Sequence, residues 1–190
     1  MMVKRAGREL QWSWTRTAPV NPPVPPVVRS LLFICLGNIC RSPFAGLLAR
    51  CRLDALGRSD VISLSAGIRT TQAKRSPREA CAAAAVYGLE LESHQPLQLS
   101  ESMMNDADMV IVMEVGQLTQ LRASYPKHHG RIFLLSLLDA QAAGAYERDN
   151  IEDPFGRPRP EFDHCYKRID RALDRLIGTL PAPRGAPRRP

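Results

Sequence analysis

The sequence predicts an α/β fold: a small doubly wound parallel sheet of about four strands, with helices on both faces and an anion-binding loop after the first strand. Three observations carry this. Short apolar runs rich in β-branched residues recur along the chain, helix-period segments alternate with them, and the first run ends in a glycine-containing loop that opens onto a helix. Alternation of strand and helix implies crossover connections, hence parallel strands covered on both faces.

In chain order, residues 18–28, "APVNPPVPPVV", hold five of the sixteen prolines, which removes backbone donors and favours extended polyproline II structure. Residues 1–28 are therefore expected to be a disordered, Pro-rich, basic extension acting as a stiff spacer. "SLLFIC" (30–35) reads as the first buried strand. A helix over 43–57 follows, with Phe44, Leu47, Leu48 and Cys51 on one face. "VISLSAG" (61–67), "ADMVIVM" (107–113) and "RIFLLS" (131–136) read as further strands, and 77–87 and 115–124 as helices. The last helix, 161–178, spaces Phe162, Cys165, Ile169, Leu173 and Leu176 by three or four residues. "LPAPRGAPRRP" closes the chain as a loose end. The domain is thus expected over 29–180, with a basic tail at 181–190.

Composition narrows the class. At 190 residues and 44% apolar content, one domain with a real core is expected. The net charge of +7 sits at the ends, where residues 1–30 supply +4 and 181–190 supply +3. The stretch between is neutral, so no basic face for nucleic acid is expected. Five cysteines form no even framework of disulfides, which points to a reducing cytoplasm. No apolar run has the length of a membrane span. The four histidines and the cysteines lack zinc spacing, and neither metal nor cofactor is expected.

The chemistry concentrates in "CLGNICRSP", residues 35–43. A strand that enters a glycine-containing loop and then a helix N-terminus brings backbone N–H groups and the helix dipole to one point, where they bind an anion such as phosphate. The same groups stabilise a thiolate, which makes Cys35 a nucleophile at neutral pH. Gly37 permits the tight turn, and Asn38 can hold the loop with its side chain or adopt a left-handed conformation. Ser42 is a good N-cap and Pro43 suits the first helical position, so the helix is expected to start at the arginine. Arg41 can curl back and grip two phosphate oxygens, which a lysine does less well. The bare spacing Cys-x5-Arg is a weak signal, since Cys165 and Arg171 also match it. That second pair lies within an amphipathic helix without glycine and reads as core.

This loop resembles the active-site loop of the low-molecular-weight protein tyrosine phosphatases. The likeness extends over residues 30–178, with "SAG" at 65–67, "SH" at 93–94, "VM" at 112–113 and "DPF" at 153–155 in the family's order. The resemblance implies a phosphate-binding loop formed by Leu36, Gly37, Asn38, Ile39, Cys40 and Ser42 between the catalytic Cys35 and Arg41. It also implies that Asp153 is the general acid that protonates a phenolate leaving group, and that Phe155 flanks the substrate ring. On the residues alone, Asp153-Pro154 is only a turn signal. The family commonly shows arginines after "SH", and Asp and later His after "VM"; this chain has "QPLQ", Glu114 and Gln117 there. These positions are expected to shape the rim, and His94 to be a surface residue.

The activity so implied is hydrolysis of phosphotyrosine in proteins by two displacements through a phosphocysteine. The alternatives are a protein arginine phosphatase or an arsenate reductase of the same fold, and a phosphotyrosine-binding module without turnover. A reductase needs two more cysteines in a relay, whereas Cys81 and Cys165 sit at core spacing; a binder needs no acid. In the arginine-phosphatase branch the position of Ile39 resembles a threonine, so Ile39 favours a phenyl ring. Cys40 reads either as a small buried residue or as a redox partner of Cys35. A cytoplasmic monomer is expected, acting on a phosphotyrosine protein. For a bacterial chain the resemblance points to a tyrosine autokinase of exopolysaccharide export.

Overall fold

A computed structural model describes residues 19–70, 75–142 and 144–183. Four strands, β1 (Ser30–Cys35), β2 (Ile62–Gly67), β3 (Met109–Val112) and β4 (Ile132–Leu134), form one parallel sheet in the order β2-β1-β3-β4. Helices α1 (Arg41–Ala55), α2 (Arg78–Ala85), α3 (Glu101–Asp106), α4 (Val115–Ser124), α5 (Ala145–Asp149) and α6 (Arg159–Thr179) connect them. The chain passes from β1 to β2 on one side and then returns across β1 to β3, so strand order reverses at β1. In open α/β sheets that reversal leaves a crevice at the carboxyl ends of the strands, here after Cys35 and Val112.

Strand alternation divides the core into two layers. Leu31, Phe33 and Cys35 of β1 face one side with Met109, Ile111 and Phe133, under α1, α2 and α6. Leu32 and Ile34 face the other with Val110, Val112 and Ile132, against Met104 of α3 and Leu118 and Leu121 of α4. Phe44 of α1 stacks on Tyr166 of α6 with ring centroids 3.8 Å apart, and the edge of Tyr87 meets it at 5.1 Å. These ring contacts fix α6 beneath the start of α1.

The expected strands and the four longer helices are all present, with ends that move by a few residues. α3 and α5 had no periodic signal because each is shorter than two turns. Cys51 is exposed, so it does not belong to the buried face of α1. The expectation of a disordered extension divides. Residues 1–18, with Trp12 and Trp14, lie outside the described residues, as do most of the 181–190 tail residues, from Arg184 onward.

Residues 19–28 instead lie against the domain. Asn21 Nδ2 donates to the Leu134 carbonyl at 3.0 Å and its Oδ1 accepts from the Leu134 N–H at 2.7 Å. The amide thereby covers the open edge of β4 as a further strand would. Val24 packs on the core and Val28 is buried. Proline still makes this segment extended, but three non-proline side chains anchor it. Asn21→Ala should therefore lower stability by about 2 kcal/mol, the loss of two hydrogen bonds. A urea midpoint identical to that of the parent protein would show that the amide contributes nothing.

Candidate active site

The loop from Cys35 to Arg41 is held by its one left-handed residue. Asn38 has φ of 54°, and it is the single non-glycine residue with positive φ among the described residues. Its side chain is fully buried and saturated: Nδ2 donates to Ser42 Oγ and Ser65 Oγ, both at 2.9 Å, and Oδ1 accepts from the Leu97 N–H at 2.8 Å. The strained turn thus belongs to Asn38, whereas Gly37 has no positive φ, and a Cβ there would make only ordinary contact with Ile39 at 3.5 Å. The glycine that the loop does require lies elsewhere. A Cβ on Gly67 would come within 2.7 Å of Thr70 Cγ2 and 3.0 Å of Asn38 N, so "SAG" lets the end of β2 lie against the loop.

His94 also holds this loop. Its Nε2 lies 2.9 Å from the Asn38 carbonyl and 3.1 Å from Asn38 Oδ1, so Nε2 carries a proton and donates. Burial pushes its pKa below the ordinary histidine value, although the bond to Asn38 opposes the shift. His94 is thus a neutral support of the loop, not the surface residue that sequence suggested. Its neighbours in sequence gave no such sign, because the contact spans 56 residues.

Cys35 ends β1, almost fully buried, with its Sγ 3.0 Å from Ser42 Oγ. α1 begins at Arg41, so Ser42 is inside the helix and its hydroxyl caps nothing. It is turned toward the sulfur and toward the Ala66 carbonyl at 3.2 Å. The position expected to contact substrate therefore contacts the Cys35 sulfur, where a hydroxyl proton would stabilise a thiolate. Cys40 takes the cap position; it is buried, and burial, followed by the charge of Asp153, pushes its thiol up. Its carbonyl accepts from Tyr166 Oη at 3.2 Å. Both Cys35 and Cys40 are free thiols.

Arg41 is 1% exposed and its guanidinium is the hub of the site. Nη1 donates to the Ile151 carbonyl at 2.9 Å and to Glu114, and Nη2 pairs with Asp153 Oδ2 at 2.6 Å. Burial works against the positive charge, but Asp153 and then Glu114 outweigh it and hold the pKa above the ordinary arginine value. Nε is buried with no hydrogen-bond partner among the described residues, which leaves its N–H for a ligand oxygen. Asp153 uses its other oxygen to accept from the Phe155 N–H at 3.2 Å. The turn ends at Gly156, whose φ of 72° is left-handed.

Of the other loop residues, Leu36 is exposed at the mouth, with its carbonyl taken by the Arg69 N–H at 2.8 Å, and Ile39 is buried. The Phe155 ring is 58% exposed on the rim. Glu114 and Gln117, expected only to shape the rim, lie inside the network. Gln117 Oε1 accepts from the Met113 N–H at 3.0 Å and its Nε2 donates to Glu114 at 3.3 Å. Glu114 follows β3, the strand across the reversal point from β1, and that position was its available signal. Among the described residues, no group of three or more His, Cys, Asp or Glu has an arrangement suited to a metal ion.

Known proteins resemble this chain in sequence and in fold. The family model described as low molecular weight phosphotyrosine protein phosphatase matches residues 30–184. EpsP of Ralstonia solanacearum, a probable low molecular weight protein-tyrosine-phosphatase, is 30% identical over 156 residues, covering 82% of this chain and 99% of the relative. The tyrosine phosphatase AmsI of Erwinia amylovora has a similar structure, with a TM-score of 0.70 and 27% identity over 81% of this chain and 94% of its own. The YwlE arginine phosphatase of Geobacillus stearothermophilus aligns with a TM-score of 0.66 and 25% identity, over 79% of this chain and 91% of its own.

Proposed function

The chain belongs to the low molecular weight phosphotyrosine protein phosphatase family, and from that membership we propose that Cys35 is its nucleophile, Arg41 its phosphate clamp and Asp153 its general acid. The protein is a protein tyrosine phosphatase that works through a phosphocysteine. The observation that supports these assignments is the buried Arg41 fork, which brings the Asp153 carboxylate to the loop that carries the Cys35 sulfur.

The phosphoryl group sits over Cys35 with its oxygens on loop N–H groups and on Arg41, whose Nε is free to donate. A dianionic phosphate competes with Asp153 for Arg41 and so releases that carboxyl toward the leaving oxygen. In the first step the Cys35 thiolate attacks phosphorus, an Sγ–P bond forms, the P–O bond to tyrosine breaks, and the phenolic oxygen takes the proton of Asp153. Ser42 holds the sulfur as its charge leaves. In the second, water attacks phosphorus and passes its proton to Asp153; the S–P bond breaks, and inorganic phosphate and the thiolate are restored.

The partner is a phosphotyrosine protein, and family resemblance makes a tyrosine autokinase of exopolysaccharide export the first to test. No described helix is long and apolar enough to cross a membrane. Ile39 supports tyrosine over arginine as the phosphorylated residue. It is apolar where the arginine-phosphatase branch resembles a threonine, whose hydroxyl could meet a guanidinium, and its side chain is buried in the core cluster with Cys40 and Phe44. Loss of such a polar contact alters discrimination by about 10⁴-fold, whereas apolar fit gives about 1–3 kcal/mol. Turnover of phosphotyrosine and phosphoarginine peptides by the parent protein and by Ile39→Thr tests this. The parent should prefer phosphotyrosine and the variant should shift toward phosphoarginine. A parent preference for phosphoarginine would overturn the substrate assignment, and an unchanged ratio would reduce Ile39 to packing.

A further inference from the structure

The segment that carries Asp153 is gripped from below by a buried arginine that the reaction itself does not use. Arg168, on α6, is 3% exposed. Its Nη1 donates to the Asn150 carbonyl at 2.7 Å, its Nη2 to the Glu147 carbonyl, and its Nε to Asp139 Oδ2 at 2.8 Å. Asp139 has no side-chain exposure and also takes the Arg171 fork at 2.9 Å on each oxygen. Burial opposes the Asp139 charge, but Arg171 and Arg168 together hold its carboxyl below the usual carboxylate range. The guanidinium plane of Arg168 is therefore fixed on both sides, by a carboxylate behind and two carbonyls in front.

Such a cluster is a poor way to gain stability. Desolvating a guanidinium and a carboxylate consumes most of their attraction, and apolar side chains of similar size often serve as well. What buried charge does supply is a defined position. Two residues before Arg168 on α6, Tyr166 donates to the Cys40 carbonyl in the loop after β1. Arg168 donates to Asn150, three residues before Asp153, and it borders the same cavity as Asp153, together with His164 and Cys165. α6 thus holds both halves of the site, the loop through Tyr166 and the acid segment through Arg168.

We propose that Arg168 is a positioning residue for the general acid, setting the approach of the Asp153 carboxyl to the leaving oxygen by tying the backbone carbonyls of Glu147, in α5, and Asn150, just after it, to α6. This rests on the assignment of Asp153 as the acid. Misplacement of a catalytic group by about 1 Å costs up to roughly 10²-fold, so the effect should be large where protonation matters and small where it does not. Values of kcat/KM should be measured over aryl phosphates from p-nitrophenyl to phenyl, for the parent, Arg168→Met, Asp153→Asn and the double variant. If Arg168→Met does not fold, Arg168→Gln, which keeps one donor, takes its place throughout. Arg168→Met should lose about 10- to 100-fold on phenyl phosphate and far less on p-nitrophenyl phosphate. It should cost nothing further in the Asp153→Asn background. An equal loss on all leaving groups, no loss, or the same loss with Asp153→Asn would overturn the proposal. A flat leaving-group dependence for Asp153→Asn itself would instead remove the acid assignment on which it rests.

Discussion

Cys35→Ser should bring hydrolysis of p-nitrophenyl phosphate down by roughly 10⁴-fold or more, the scale seen when a nucleophile is removed from an active site. A serine hydroxyl at this position is un-ionised at neutral pH and attacks phosphorus poorly, whereas the elements that bind the oxyanion stay in place. Arg41 keeps Glu114, Ile151 and Asp153, and Asn38 keeps its bonds to Ser42, Ser65 and Leu97. The variant should accordingly bind phosphate or vanadate, read as a rise in Tm with ligand concentration. Turnover close to that of the parent would end the assignment of Cys35. A folded variant that no longer responds to oxyanion would show that the sulfur, rather than the loop and Arg41, holds the ligand.

Asp153→Asn should reduce kcat/KM for phenyl phosphate by about 10²- to 10⁴-fold, the range of general acid catalysis. Asparagine still accepts from the Phe155 N–H, and Arg41 still has Glu114 and the Ile151 carbonyl, so the clamp survives. The loss then measures the proton. It should shrink steadily as the leaving group becomes more acidic, because a stable phenolate departs without help. A loss of the same size across the series would mean that Asp153 acts through charge on Arg41, where it is paired at 2.6 Å, and not as an acid.

Cys35 and Arg41, the proposed nucleophile and clamp, stand out in the sequence because they share one loop with the elements that give them meaning. Strand, glycine-containing loop and helix start all lie within residues 30–43, so Cys35 could be told from Cys165, which has the same spacing to an arginine but sits on a buried helix face. Asp153 was legible only through resemblance, since nothing local marks an Asp-Pro turn as belonging to a loop 112 residues away. Glu114 and His94 escaped a local reading for the same reason: each has ordinary neighbours in sequence, and Glu114 gains its place from Arg41 across the reversal point and His94 from the loop backbone. Gln117 joins them only through its local bonds to Met113 and Glu114.

The sequence by itself determined the strand and helix order, the placement of Cys35 and Arg41 at a strand-to-helix turn, and the two-sided burial of the sheet. These follow from periodicity and from turn chemistry, which act over a few residues. Tertiary structure alone decided that Asn38 rather than Gly37 takes the left-handed position, that Ser42 faces the sulfur instead of capping the helix, and that Asn21 covers the edge of β4. It also decided that Arg41 meets two carboxylates and that Arg168 grips the segment before Asp153. For the contacts of Asn21, Arg41 and Arg168 the physical reason is the same. A buried hydrogen-bonding group must find a partner, and in a parallel sheet with long crossovers the partner comes from a strand end or loop that is distant in sequence.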